Sequence, residues 1–193
     1  MGRGLFHHSQ TFHRNRGKIY MAEEAVKKKE VNQDFRDIDM EALGEEHINL
    51  VFKLGNENFG VDVNLVREIV RVPSFITRVP NAPAYIRGVI NLRGTIVPVF
   101  DMHLKIGMAG HPLTDEARIV VIAINEVTFG MIVNSVREVL TIYDSQLEVA
   151  TKLSSAIDRR YVLWVAKPAD DRLILLLDVS NLFELDQILE DSD

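Results

Sequence analysis

The chain has 193 residues, 47% hydrophobic and 26% charged, with a formal net charge of −6 and no cysteine. That length buries one sizeable core or two small ones. The acidic balance argues against a general nucleic-acid binder, which needs a basic face. The absence of cysteine excludes disulfides and thiolate metal sites, and no apolar run approaches the ~20 residues of a membrane helix.

The first twenty residues carry Arg3, Arg14, Arg16 and Lys18 and no acid, so they contribute +4 and the other 173 carry −10. With a single serine and no sustained amphipathic period, they do not read as a transit peptide. Met21 opens a second plausible start, and residues 1–46 are expected to form a mobile N-terminal extension, charge-rich and poor in bulky apolar side chains after Met21.

From Ile48 the pattern is β-like. INLVFKL, NFGVDV, REIVRV, YIRGVINL and TIVPVFD are short apolar or alternating runs bounded by Gly, Asn and Pro. Val63, Leu65 and Val66 are too closely spaced for a strand and predict one helical turn. Pro80 and Pro83 stiffen the link RVPNAPAYIRG, with Asn81 as its turn residue. Pro98 inside a strand pattern predicts an edge or a bulge. Asp101 is placed to cap a short helix, MHLKI, that stops at Gly107.

The pattern then starts again. FGVDVNLVREIV (59–70) and FGMIVNSVREVL (129–140) share Phe, Gly, Val, Asn, Val, Arg and Glu in one order at an offset of 70. INLVFKLGNENFG parallels RIVVIAINEVTFG, and residues 85–104 parallel 161–182 at a slightly larger offset. Two copies of a unit of about five short strands predict paired small barrels, which remove strand edges by closure. The first copy is assigned to 47–114, the second to 115–186, and a tail to 187–193. Asp178 or Ser180 is expected to cap a C-terminal helix, SNLFELDQILED, with Leu182, Leu185 and Leu189 on one face. Phe59 and Phe129 are assigned to the core. So is Trp164, the sole tryptophan, with an interface anchor as the alternative.

No constellation of catalytic residues emerges. GxxxxGK, GxSxG and HExxH are absent from the sequence. His47, His103 and His111 have no partners at ligand spacing and are read as solvated or capping residues, so no metal or cofactor is expected. Arg67 and Glu68 are neighbours on a strand and point to opposite faces. Glu68 then either joins a solvated cross-strand pair or meets Arg93 from a neighbouring strand and fixes its orientation.

GNENFGVDVNLVREIVRV followed by ITRVPNAPAYIRGVINLRGTIVPVFDMHLKIG resembles the chemotaxis coupling proteins of the CheW family. PNAPAYIRGVINLRG is the most specific part, and the resemblance spans about residues 48–185. It implies a mainly β fold of two pseudo-repeated five-stranded barrels packed through a shared apolar interface, with short helices and a C-terminal helix. It also implies a non-enzymatic adaptor that bridges chemoreceptor cytoplasmic tips to the regulatory domain of a CheA-type histidine kinase. Such a protein works in the cytoplasm, at the inner face of the membrane through receptor arrays. A paralogue serving a pilus-motility type of pathway is the alternative, and a small-barrel ligand or nucleic-acid binder a remote one.

Carried onto this chain, the resemblance marks Val66, Glu68 and Ile69 near the partner surface. It matches Arg87 and Gly88 to a basic-glycine pair, and Asn91, Arg93 and Gly94 to the NLRG motif. It departs at Trp164, where the family usually has glycine. No part of these 193 residues resembles the receiver domain of CheV or the ATP-binding segment of CheA, so the resemblance is to the coupling protein itself. A groove between the barrels is the expected seat of the receptor's helical hairpin, with apolar contact near Val66.

Overall fold

The computed structural model describes residues 40–150, 157–168 and 172–183. The expected N-terminal extension before Met40 and the last turns of the C-terminal helix, with Leu185 and Leu189, lie outside the described residues.

A short helix α1 (Met40–Leu43) precedes the first five strands: β1 (Glu46–Leu54), β2 (Glu57–Asp62), β3 (Val66–Arg71), β4 (Ile86–Leu92) and β5 (Thr95–Asp101). Helix α2 (Met102–Lys105) follows. The second set comprises β6 (Arg118–Ile124), β7 (Val127–Val133), β8 (Ser135–Tyr143), β9 (Leu147–Glu148), β10 (Val162–Ala166) and β11 (Ile174–Leu177), and α3 (Val179–Leu182) closes the described chain. The predicted helical turn after β2 is a single 3-10 turn over Val63–Leu65, capped by the Asp62 carboxylate. Asp101 caps α2 through the His103 and Leu104 amides, and Asp178 caps α3 through the Asn181 amide.

Each copy supplies strands to both sheets. One sheet runs β3-β6-β7-β5-β4 and the other β8-β1-β2-β11-β10-β9. The leading hairpin of each copy therefore sits in the sheet built by the other copy's later strands. The sequential boundary at 114/115 divides the repeats but not the sheets. The repeat itself is written into the register. Val66 faces Ile122 and Glu68 faces Val121, with a bulge between them. Seventy residues on, Val136 faces Phe52 and Glu138 faces Val51, again with a bulge.

This exchange explains the nearly unbroken apolar runs of β1 and β6. Alternate residues of a strand point to opposite faces, and here both faces are covered. In β1, Val51 points into the core enclosed by its own sheet, while Leu50, Phe52 and Leu54 enter a core shared by the two sheets. In β6, Ile119 and Val121 line the interior of the other sheet, while Val120 and Ile122 join the same shared core. Phe59 and Phe129 are buried there as expected, with the Phe183 ring tilted against that of Phe129.

Two expectations are corrected. Of the two alternatives for Pro98 the edge is excluded, because β5 is an interior strand, while the β4–β5 pairing does carry a bulge one pair away, between Ile86 and Gly88. The parallel pairing of β5 with β7 begins at Val99, so Pro98 stands just outside that ladder, where the missing amide interrupts nothing. Trp164 is not core: it is 41% exposed on β10.

Candidate functional site: the seam of the first copy

β3 and β4 form the two ends of their sheet and face each other across an open seam. The chain between them partly fills it, because Thr77 bridges Val89 of β4 through two backbone hydrogen bonds. Gly88 makes this bridge possible. Its φ is 143°, a backbone region open essentially to glycine, and a Cβ there would run into the Thr77 carbonyl.

β4 turns into β5 at Arg93-Gly94, two residues between the paired Leu92 and Thr95. Their φ values are 54° and 90°. A two-residue hairpin of this kind matches the natural strand twist but demands positive φ at both positions, so Asn-Gly is the usual choice. The Gly94 amide donates to Asn91 Oδ1 at 2.8 Å, which holds the turn. Arg93 reaches back across the seam and donates from a terminal guanidinium nitrogen to Glu68 Oε2 at 3.1 Å.

Magnitudes show that this arrangement is not there for stability. A left-handed non-glycine residue costs roughly 1–2 kcal/mol. Arg93 is 80% exposed at its side chain, and an exposed ion pair returns about 0.2–1 kcal/mol. The net effect on folding is close to zero or unfavourable. Strain of this kind points to a use for the side chain.

The residues singled out in the sequence are only partly brought together. Glu68 with Arg93, and Asn91 with Gly94, are in direct contact. Ile69 and Arg87 are exposed on either side of the seam. Val66 instead turns partly inward and packs on the shared core, so it shapes the surface from below.

Three features escaped the sequence reading. The first is the matching seam of the second copy, where Arg172 donates to Glu138 Oε1 at 2.6 Å. Glu138 was legible as the counterpart of Glu68. Its partner was not, because the β10–β11 connection is seven residues long (167–173) instead of two. The second is the exposure of Trp164, whose replacement of a family glycine was already legible. Trp164 occupies the position equivalent to Gly88, each opposite the matching residue of the next strand and each beside a bulge. The third is His103, read as solvated or capping but buried and stacked on His111 at 5.5 Å. Its Nε2 is enclosed without a hydrogen-bond partner. Burial lowers its pKa from 6.5, with His111 adding to that, while Asp101 and Asn134 oppose it. Among the described residues, no group of three or more His, Asp or Glu side chains could hold a metal ion.

The fold agrees with the comparisons. A family model described as the CheW-like domain matches residues 49–187. The chemotaxis protein CheW of Klebsiella aerogenes is 30% identical over 148 residues, covering 77% of this chain and 87% of that protein. A probable chemotaxis protein CheW of Rhizobium etli is 32% identical over 134 residues, 69% and 85% of the two chains. The crystal structure of the scaffolding protein TtCheW from Thermoanaerobacter tengcongensis superposes with a TM-score of 0.65 at 34% identity, covering 72% of this chain and 88% of that one. The chain belongs to the CheW-like domain family.

Proposed function

We propose that this protein is a chemotaxis scaffold that couples chemoreceptor cytoplasmic tips to a CheA-type histidine kinase, with the β3–β4 seam as a partner-binding surface. The observation that carries the reading is Arg93. It is exposed, conformationally strained and steered by Glu68 at a cost to the fold, on a chain whose relatives are chemotaxis proteins.

A scaffold needs no reaction centre. It needs surfaces that hold two partners near each other and so raise their effective concentration. A signal passes only if receptor states differ in contact energy with the bridge, because a ligand shifts an equilibrium by its differential affinity alone. In this reading Glu68 orients the Arg93 guanidinium, Val66 sets the depth of the surface, and Arg87, Ile69 and Asn91 supply contacts around it. The array location at the inner face of the membrane follows from the receptors; among the described residues no helix is long and apolar enough to cross a membrane.

Co-sedimentation tests this. Purified protein is mixed with receptor-containing membranes and the CheA-type kinase of the same organism, and kinase is measured in the pellet together with its autophosphorylation rate. Both rise only when the protein is present. Failure to bind either partner removes the coupling function and leaves the fold standing.

A further inference from the structure

Besides its basic first twenty residues, the acidic chain contains a strongly basic stretch among the described residues. Residues 66–94 hold five arginines, no lysine and a single acid, Glu68, so this stretch is +4 in a chain of −6. All five arginines are exposed. Arg67 and Arg71 flank Ile69 on β3. Arg78 follows Thr77, so the antiparallel bridge to Val89 sets it beside Gly88 and hence next to Arg87. Arg93 closes the group at the turn. Only Arg93 has an ion-pair partner: Arg67, Arg71, Arg78 and Arg87 form none among the described residues.

Apolar side chains stand among them. Phe75 is 77% exposed on the chain between β3 and β4, and Ile69, Val79 and Ile96 are exposed as well. The equivalent stretch of the second copy, 136–172, carries six basic and six acidic residues. Three of these cations are already engaged, Arg160 with Asp158, Lys167 with Glu148 and Arg172 with Glu138. The two seams share a backbone plan and differ in free positive charge.

We propose that the first-copy seam docks an acidic protein segment in which carboxylates alternate with an apolar side chain. Charge complementarity selects the occupant. Four unpaired guanidiniums, each able to take a carboxylate in a bidentate grip, share this stretch with an exposed phenylalanine that supplies apolar area. Arginine and aromatic residues are also the types enriched at protein interfaces, where lysine is depleted. This deepens the scaffold reading and rests on it only for the identity of the partner; the chemistry stands on the seam alone.

The probe is a fluorescent peptide of alternating Glu and Leu, with Gln-Leu and Lys-Leu peptides as controls, read by anisotropy at low and high salt. The full chain binds the Glu-Leu peptide saturably, weakens as salt rises, and ignores the other two. The variant R67A/R71A/R78A/R87A, which removes no internal ion pair, weakens binding at least about tenfold, and Phe75→Ser weakens it about threefold. Arg137→Ala, on the second copy, leaves it unchanged. Folding of each variant is checked by thermal melting, and Phe75→Ser serves if the quadruple variant does not fold. No binding of the Glu-Leu peptide, or equal binding of the Gln-Leu peptide, overturns the proposal. So does binding to phosphatidylserine-containing vesicles or to a DNA oligonucleotide at equal strength through the same arginines. Loss of peptide binding with receptor and kinase recruitment intact would sink this inference alone. Peptide binding without recruitment would sink the scaffold reading alone.

Discussion

The two copies keep the same cross-strand partners to the residue and yet diverge at the seam. In the first, Gly88 lets the preceding chain lie against β4 and a two-residue turn aims Arg93. In the second, Trp164 replaces the glycine and a seven-residue connection carries Arg172. The ion pair survives in both, at 3.1 and 2.6 Å, across very different loops. Duplication thus preserved the barrel-forming register, which both cores depend on, and left the seam free to specialise.

The sharpest way to break the symmetry is at the glycine position. Gly88→Val combines positive φ with a collision against backbone, so thermal or urea unfolding should show a loss of about 3 kcal/mol or more. Trp164→Gly removes a half-exposed ring from a strand and should cost about 1 kcal/mol. Similar costs at the two positions would mean that the copies are not specialised there.

The next contrast is the pH dependence from a buried histidine at the helix cap, which belongs to the first copy, since Asp178 follows the same capping role as Asp101 but is followed by Val179 and Ser180 with no counterpart of His103. Because burial lowers the folded pKa of His103, the unfolded chain takes up the proton first. Stability is full above the ordinary value of 6.5 and falls as pH drops below it towards the lowered folded value. His103→Leu should flatten that decline in melts followed across pH 5 to pH 7 (about neutral to mildly acidic) and add about 1 kcal/mol at the acidic end by removing an unpartnered buried nitrogen. An unchanged slope would place the proton uptake elsewhere.

The smallest effects concern the ion pairs. A double-mutant cycle over Glu68 and Arg93, and another over Glu138 and Arg172, should each return less than ~1 kcal/mol of coupling. Arg93→Gly should stabilise the fold slightly, since glycine relieves the left-handed strain.

Much of this was legible in the sequence because it is periodic. The repeat, the strands and the cap at Asp101 follow from spacing and side-chain direction, whereas the cap at Asp178 and the meeting of Glu68 with Arg93 were each one of two alternatives that spacing left open. The exchange of hairpins between sheets did not show, because a strand's residues record that both faces are buried, not which copy buries them. Trp164 was assigned to the core on burial statistics for tryptophan, although its departure from a family glycine was legible; what the sequence did not reveal is that the position lies exposed beside a strand bulge. His103 looked solvated because its neighbours in space, His111 and Asn134, come from later segments. Pro98 looked like an edge because sequence does not reveal where one strand's ladder begins.

The central claim is that the strained arginine of the first seam exists for a partner and not for the fold. Kinase recruited to receptor membranes should be measured side by side for Arg93→Gly and Arg172→Ala, with melting temperatures for both. The account predicts that Arg93→Gly melts no lower than the parent yet loses recruitment about tenfold or more, while Arg172→Ala keeps it within about twofold. Full recruitment by a folded Arg93→Gly protein, or equal losses at the two seams, would contradict it.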